Sequence, residues 1–115
     1  MTVQEALRDL GITRNYRGYL RAVTAIELAL EKEDRLDAVI KGIYSEVARR
    51  RDCSWSAVER SLRTLVQRVW RVNRALLIEM AGYPLDSPPT VSEFISIVVN
   101  HIQRTSPAEQ QKAPV

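Results

Sequence analysis

The sequence predicts an all-α fold, a single compact domain of about six helices containing a helix-turn-helix. Three observations carry this. Apolar residues recur at three- and four-residue spacing along most of the chain, as on one face of a helix. Helix-starting and helix-stopping residues punctuate those segments. Strand-like alternation is scarce, and the 115 residues include only four glycines and one phenylalanine.

The elements follow in order. Thr2 to Leu10 reads as a first helix with Val3, Ala6, Leu7 and Leu10 on one side, and Gly11 is a C-terminal stop. A second helix starts near Asn15, buries Tyr19, Leu20, Val23, Ile26 and Leu30, and ends in the charged stretch Glu31 to Arg35. A third starts around Asp34 to Asp37 and buries Leu36, Val39, Ile40 and Ile43. Gly42 or its neighbours break this run before Tyr44 to Arg51, the first arm of the motif. Asp52 to Trp55 is the turn. The next helix starts at Ser54 or Ser56 and continues to about Arg71. Ser56 and Glu59 have capping-box spacing, and Ser54 is an equally good cap. A further helix covers Arg74 to Ala81 and stops at Gly82. Pro84, Pro88 and Pro89 keep the following loop extended or turned. Thr90 and Glu93 form another capping box, opening a last helix with Val91, Phe94, Ile95, Val98, Val99 and Ile102 inward. The folded domain is expected over 1–104. From Thr105 the chain is Ser-, Pro-, Gln- and Ala-rich without periodicity, so a disordered tail is expected over 105–115.

Composition narrows the function classes. Apolar residues make up 45%, enough for one core. No apolar run approaches a membrane span, and the N-terminus lacks the apolar stretch of a signal peptide. A cytoplasmic, nucleoid-associated protein is the simplest expectation. A single cysteine excludes an internal disulfide and offers no metal cluster. No paired nucleophile and base and no Gly-rich phosphate loop is evident, so an enzyme is not expected and no cofactor is called for.

The net charge of +3 says little by itself, but its distribution is uneven. From Arg49 to Arg74 there are eight arginines against Asp52 and Glu59, a local net of +6. From Glu27 to Asp37 there are five acids against Lys32 and Arg35, a local net of −3. A charge run often marks nothing more than a solvated face. Arginine, however, supplies 14 of the 17 basic side chains, and its planar fork suits guanine edges and phosphates.

On a helix wheel Arg63, Thr64, Gln67, Arg71 and Arg74 fall within roughly 60° of Arg60. Val58, Leu62, Leu65, Val66, Val69 and Val72 gather opposite. Such a helix rests on a core by one face and offers a basic face to a groove. The turn agrees with this. Ala48 is the small residue that helix-turn-helix packing needs. Asp52 occupies the turn site that often holds glycine, and Asp tolerates a left-handed backbone better than most residues. Cys53 and Val58 stand where apolar anchors pack.

The same residues resemble a family. Tyr16-Arg-Gly18-Tyr19-Leu20, Ala25-Ile26, Tyr44-x-x-Val47-Ala48, Val58-Glu59-Arg60-x-Leu62-Arg63, Trp70, Gly82-Tyr83 and Thr90-x-Ser92-Glu93-Phe94-Ile95 recur in order. Over roughly Val3 to Ile102 the chain resembles the C-terminal DNA-binding (effector) domain of the sporulation master response regulator, stage zero sporulation protein A. Val-Glu-Arg-x-Leu-Arg is the most specific part of the match. The resemblance implies a six-helix fold that binds a short DNA box, often as tandem copies, and touches RNA polymerase sigma factors. It places base reading on Glu59, Arg60 and Arg63, and brings Ser54 and Ser56 near phosphates. Arg50, Arg51, Thr64, Gln67 and Arg71 complete the candidate DNA contacts.

The chain departs from that pattern in four ways. Thr64 stands where the family has His, and Ser45 where it has Pro. The Gly82–Thr90 loop is shorter and lacks the family's lysines. A response regulator carries a receiver domain with a phosphorylatable Asp, whereas this sequence opens on the first helix: with Met1 as the native start, phosphorylation is not expected to switch the protein in cis, and with a trimmed start the receiver lies outside this sequence.

The leading expectation is a sequence-specific transcription regulator of double-stranded DNA, with a second copy on adjacent sites. The alternative is a protein-interaction module that pairs with a full-length homologue or a sigma factor without reading DNA. Some residues attract blander expectations. Cys53 is a packing residue, His101 an edge residue and Trp70 a core residue. Trp55 either covers the turn or packs against the phosphate backbone. Glu59 caps Ser56, reads a base, or does both.

Overall fold

A computed structural model describes residues 1–105. Six α-helices make up the domain: α1 (Val3–Asp9), α2 (Tyr19–Glu31), α3 (Ser45–Arg51), α4 (Trp55–Val72), α5 (Arg74–Ala81) and α6 (Val91–Thr105). A 3₁₀ segment (Glu33–Ala38) and a π turn (Ile40–Tyr44) lead into α3. No strand occurs among the described residues. The all-α expectation holds. Thr105 belongs to α6, and the rest of the expected disordered tail, 106–115, lies outside the described residues.

Local chemistry explains the boundaries. Thr2 caps α1 through a full capping box: the Glu5 N–H donates to Thr2 Oγ1, and the Thr2 N–H donates to Glu5 Oε1 at 2.8 Å. That backbone hydrogen bond holds the Glu5 carboxyl below its usual range. The second helix begins at Tyr19 rather than near Asn15, because Thr13 to Tyr16 form a turn in which the Tyr16 N–H donates to Thr13 O. Its buried stripe runs through Ala22, Ala25 and Ala29 together with Val23 and Ile26. These small residues let α1, α3, α4 and α6 approach closely. Leu20 falls outside that stripe and is 48% exposed, against the expectation, and Leu30 is only partly buried.

The expected third helix is a 3₁₀ segment followed by a π turn. The Ser45 N–H donates to Ile40 O, an i→i−5 bond that inserts a residue into the helical register. Ile43 is buried, Leu36 and Val39 are partly buried, and the shifted register leaves Ile40 exposed. Gly42 does not break the run. A Cβ there would collide with Arg35 O, so glycine lets the π turn press against the 3₁₀ segment. The Arg35 guanidinium donates to Leu28 O at 2.9 Å and pairs with Glu31, tying this stretch to α2.

α5 closes at left-handed Gly82, as expected. At the start of α6 the Glu93 N–H donates to Thr90 Oγ1, the expected half of a capping box. The Glu93 carboxylate accepts from Tyr83 OH at 3.0 Å instead of turning back on the cap. All six residues expected to face inward from α6 are buried. Asn73 separates α4 from α5, and its amide donates to Leu10 O at 2.6 Å, fixing that corner against the end of α1.

Candidate nucleic-acid interface

The α3–turn–α4 unit positions the basic face. α3 ends at Asp52, which is left-handed at φ 56°, ψ 56°. Among the described residues it is the sole non-glycine with positive φ. The N–H groups of Asp52 and Cys53 both donate to Ala48 O, a tight C-terminal closure. Ser54 then caps α4, its hydroxyl accepting from the Ala57 N–H at 3.1 Å. The cap is therefore Ser54, and the capping-box reading of Ser56 and Glu59 is set aside. Ser56 instead lies within hydrogen-bond distance of Ser54, hydroxyl to hydroxyl. This order of helix, tight turn and helix is consistent with the expected helix-turn-helix.

α4 is anchored by Val58, Leu62, Leu65, Val66 and Val69, all buried. Val72, expected with them, is the last residue of the helix, at the edge of the stripe, and is 57% exposed. Arg60, Arg63, Thr64, Gln67 and Arg71 are exposed, as the wheel predicts. Arg60 has no side-chain partner among the described residues, whereas Arg63 lies 3.3 Å from Glu59. An exposed pair of this kind contributes little to stability. Thr64 donates back to Arg60 O at 3.0 Å.

Other candidates are engaged within the protein. Arg50 and Arg49 share Glu46, with Arg50 Nε at 2.7 Å from its carboxylate. Those bonds, Arg49's first, pull the Glu46 carboxyl down to about 2. Arg51 donates from Nε and Nη2 to Thr24 Oγ1. Trp55, at the first position of α4, is 46% exposed. Trp70 is partly buried rather than fully in the core, with the Arg74 guanidinium 4.2 Å from its ring centroid. Cys53 packs against the core as a partly buried free thiol, and His101 is also partly buried. Burial pushes the Tyr44 phenol up to about 12, with the charge of Glu59 adding to the shift and that of Arg63 opposing it.

Two grooves flank α4. One, of about 390 Å³, runs between Glu59, Arg63 and Gln67 on the helix and Pro88, Pro89 and Thr90 on the loop before α6. The other, of about 510 Å³, separates α4 at Arg60 and Thr64 from Arg17, just before α2, and Arg21 in its first turn. The basic face therefore has walls on both sides. Sequence spacing did not reveal these walls, because each residue lies far from α4 along the chain. The nearest signal was Arg17 and Gly18, inside the motif that carries the family resemblance.

No helix among the described residues is long and apolar enough to cross a membrane. Residues 3–102 match the family described as sporulation initiation factor Spo0A C terminal, and the chain belongs to this family, the DNA-binding effector domain of a sporulation regulator.

Proposed function

We propose that this domain reads double-stranded DNA in a sequence-specific way, as a transcription regulator, by placing the outer face of α4 in the major groove. The family is a regulatory DNA-binding family and not an enzyme family. The observation that carries the reading is the pairing of a buried apolar stripe on α4 with the exposed guanidinium groups of Arg60 and Arg63 on its other side. Arg forks onto O6 and N7 of guanine, and the Glu59 carboxylate accepts from a cytosine amino group. Ser54, Ser56, Arg50, Gln67 and Arg71 surround that face at positions suited to phosphates, which fix register without carrying sequence information. One helix gives a small footprint, so two copies on adjacent sites raise the affinity to a useful level. The site of action is the nucleoid in the cytoplasm.

Selection from randomised duplexes at fixed salt, followed by titration of Arg60→Ala and Arg63→Ala, tests this. Each substitution should cost about 1–3 kcal/mol on the selected duplex and relax the base preference at one position. Binding by the parent should fall steeply with salt. If both variants match the parent on the selected duplex, α4 does not read DNA. Capture of a sigma factor or a full-length homologue by such variants would then favour the protein-interaction reading.

A further inference from the structure

We infer that the cleft between the start of α2 and α4 is a seat for one backbone phosphate of the bound duplex, held by Arg17 and Arg21. The inference rests on the DNA-reading function of α4 and adds a contact on a different element. Three observations converge on it.

The first is charge. Arg17, Arg21 and Arg60 all line this cleft of about 510 Å³, and none of its nine lining residues carries a carboxylate. Three guanidinium groups around one solvent-filled space repel each other unless an anion joins them. Arg17 and Arg60 have no side-chain hydrogen bond or ion pair among the described residues, in contrast to Arg49, Arg50 and Arg51.

The second is a positioned fork. Arg21 Nη1 donates to Ser61 Oγ at 2.6 Å and approaches Ala57 O at 3.4 Å. α4 thus holds the guanidinium in place, while Nε and Nη2 have no protein partner among the described residues. Arginine held by one edge presents its remaining donors in a fixed plane, the geometry that suits a phosphate.

The third is the helix end. α2 is 13 residues long, its N-cap Gly18 offers no side-chain cap, and its first turn contains no acid. Gly18 is itself part of the cleft wall. A Cβ on Gly18 would come within 3.0 Å of Ser61 Cβ, so glycine lets this helix end sit directly against α4. The Tyr19 N–H is already taken by Tyr16 O, but no side chain caps the rest of the first turn, and its remaining N–H groups and positive dipole end suit an anion.

The test uses Arg17→Gln, which removes an exposed charge without a protein contact, with Arg14→Gln as a control on an exposed arginine outside the cleft. Affinities for the selected duplex and a scrambled duplex are measured over a salt series. Arg17→Gln should weaken both duplexes by the same factor and lower the salt slope by about one, while Arg14→Gln leaves the slope unchanged. An unchanged slope in Arg17→Gln overturns the seat even if the parent prefers its selected duplex. A parent that binds both duplexes alike overturns sequence reading, and the Arg17 slope still decides the seat. The source of the phosphate is read from the Gly18 amide resonance. It should shift on adding duplex and stay put with inorganic phosphate at matched ionic strength; the reverse result overturns a DNA phosphate as the occupant.

Discussion

Arg51 donates twice to Thr24 Oγ1, from Nε at 3.0 Å and from Nη2 at 2.8 Å. Thr24 is 3% exposed and, tyrosines aside, is the one buried polar side chain among the described residues. The pair joins the last turn of α3 to the middle of α2, and so sets where the turn at Asp52 begins. Thr24→Val keeps the shape but removes the acceptor. It should lower stability by about 1 kcal/mol, since the exposed guanidinium recovers water as a partner. Urea unfolding should show a lower midpoint with an unchanged slope. An unchanged midpoint would mean that the contact does not stabilise the fold.

Asp52 supports the turn at a conformational cost. Its backbone is left-handed at φ 56°, a region that glycine enters freely and other residues do not. Asp52→Gly should raise stability by a few tenths to about 1 kcal/mol, and Asp52→Val, branched at Cβ, should lower it by about 1–2 kcal/mol. Thermal unfolding of the two variants should move in opposite directions around the parent. If both fall below it, the aspartate side chain contributes something that the backbone geometry does not explain.

Tyr44 gives the fold a limit at high pH. Burial raises its phenol from the ordinary 10 to about 12 in the folded state. The folded chain therefore holds this proton more tightly than the unfolded chain. The stabilisation is complete below pH 10 and is lost as pH rises from about 10 towards about 12. Tyrosinate absorbance should show a late step that disappears in Tyr44→Phe, and the variant's stability should depend less on pH over that range. A Tyr44 that titrates near the ordinary 10 would contradict its burial.

The sequence made the long amphipathic elements legible, because their burial is set by periodicity alone. α6 and the buried face of α4 up to Val69 follow the wheel. The 3₁₀ and π turns were not legible. Their register depends on Gly42 meeting Arg35 O, a contact between segments that periodicity does not encode. Leu20 reads as a core residue from its place in the spacing with Tyr19, Val23, Ile26 and Leu30. Its exposure follows from alanines that let neighbouring helices close over a different stripe. At the basic face, the outward placement of Arg60 and Arg63 was readable from spacing. The engagement of Arg51 by Thr24 and the placing of Arg21 on Ser61, 40 residues away, were not, since both are tertiary contacts.

Glu59 and Arg63, 3.3 Å apart on successive turns of α4, should respond to substitution in a way that separates base reading from simple charge. In Arg63→Ala the Glu59 carboxylate loses its cation and faces the polyanionic duplex alone. On a scrambled duplex, adding Glu59→Ala to Arg63→Ala should then improve binding by about 0.2–1 kcal/mol, the size of an exposed charge interaction. On the selected duplex the same addition should weaken binding, because the contact of a carboxylate with a cytosine amino group is worth about 1–3 kcal/mol and outweighs the relief of repulsion. Opposite signs on the two duplexes are the signature of a residue that reads a base. If Glu59→Ala improves binding to both, the carboxylate serves only to hold Arg63, and base reading by α4 rests on the arginines.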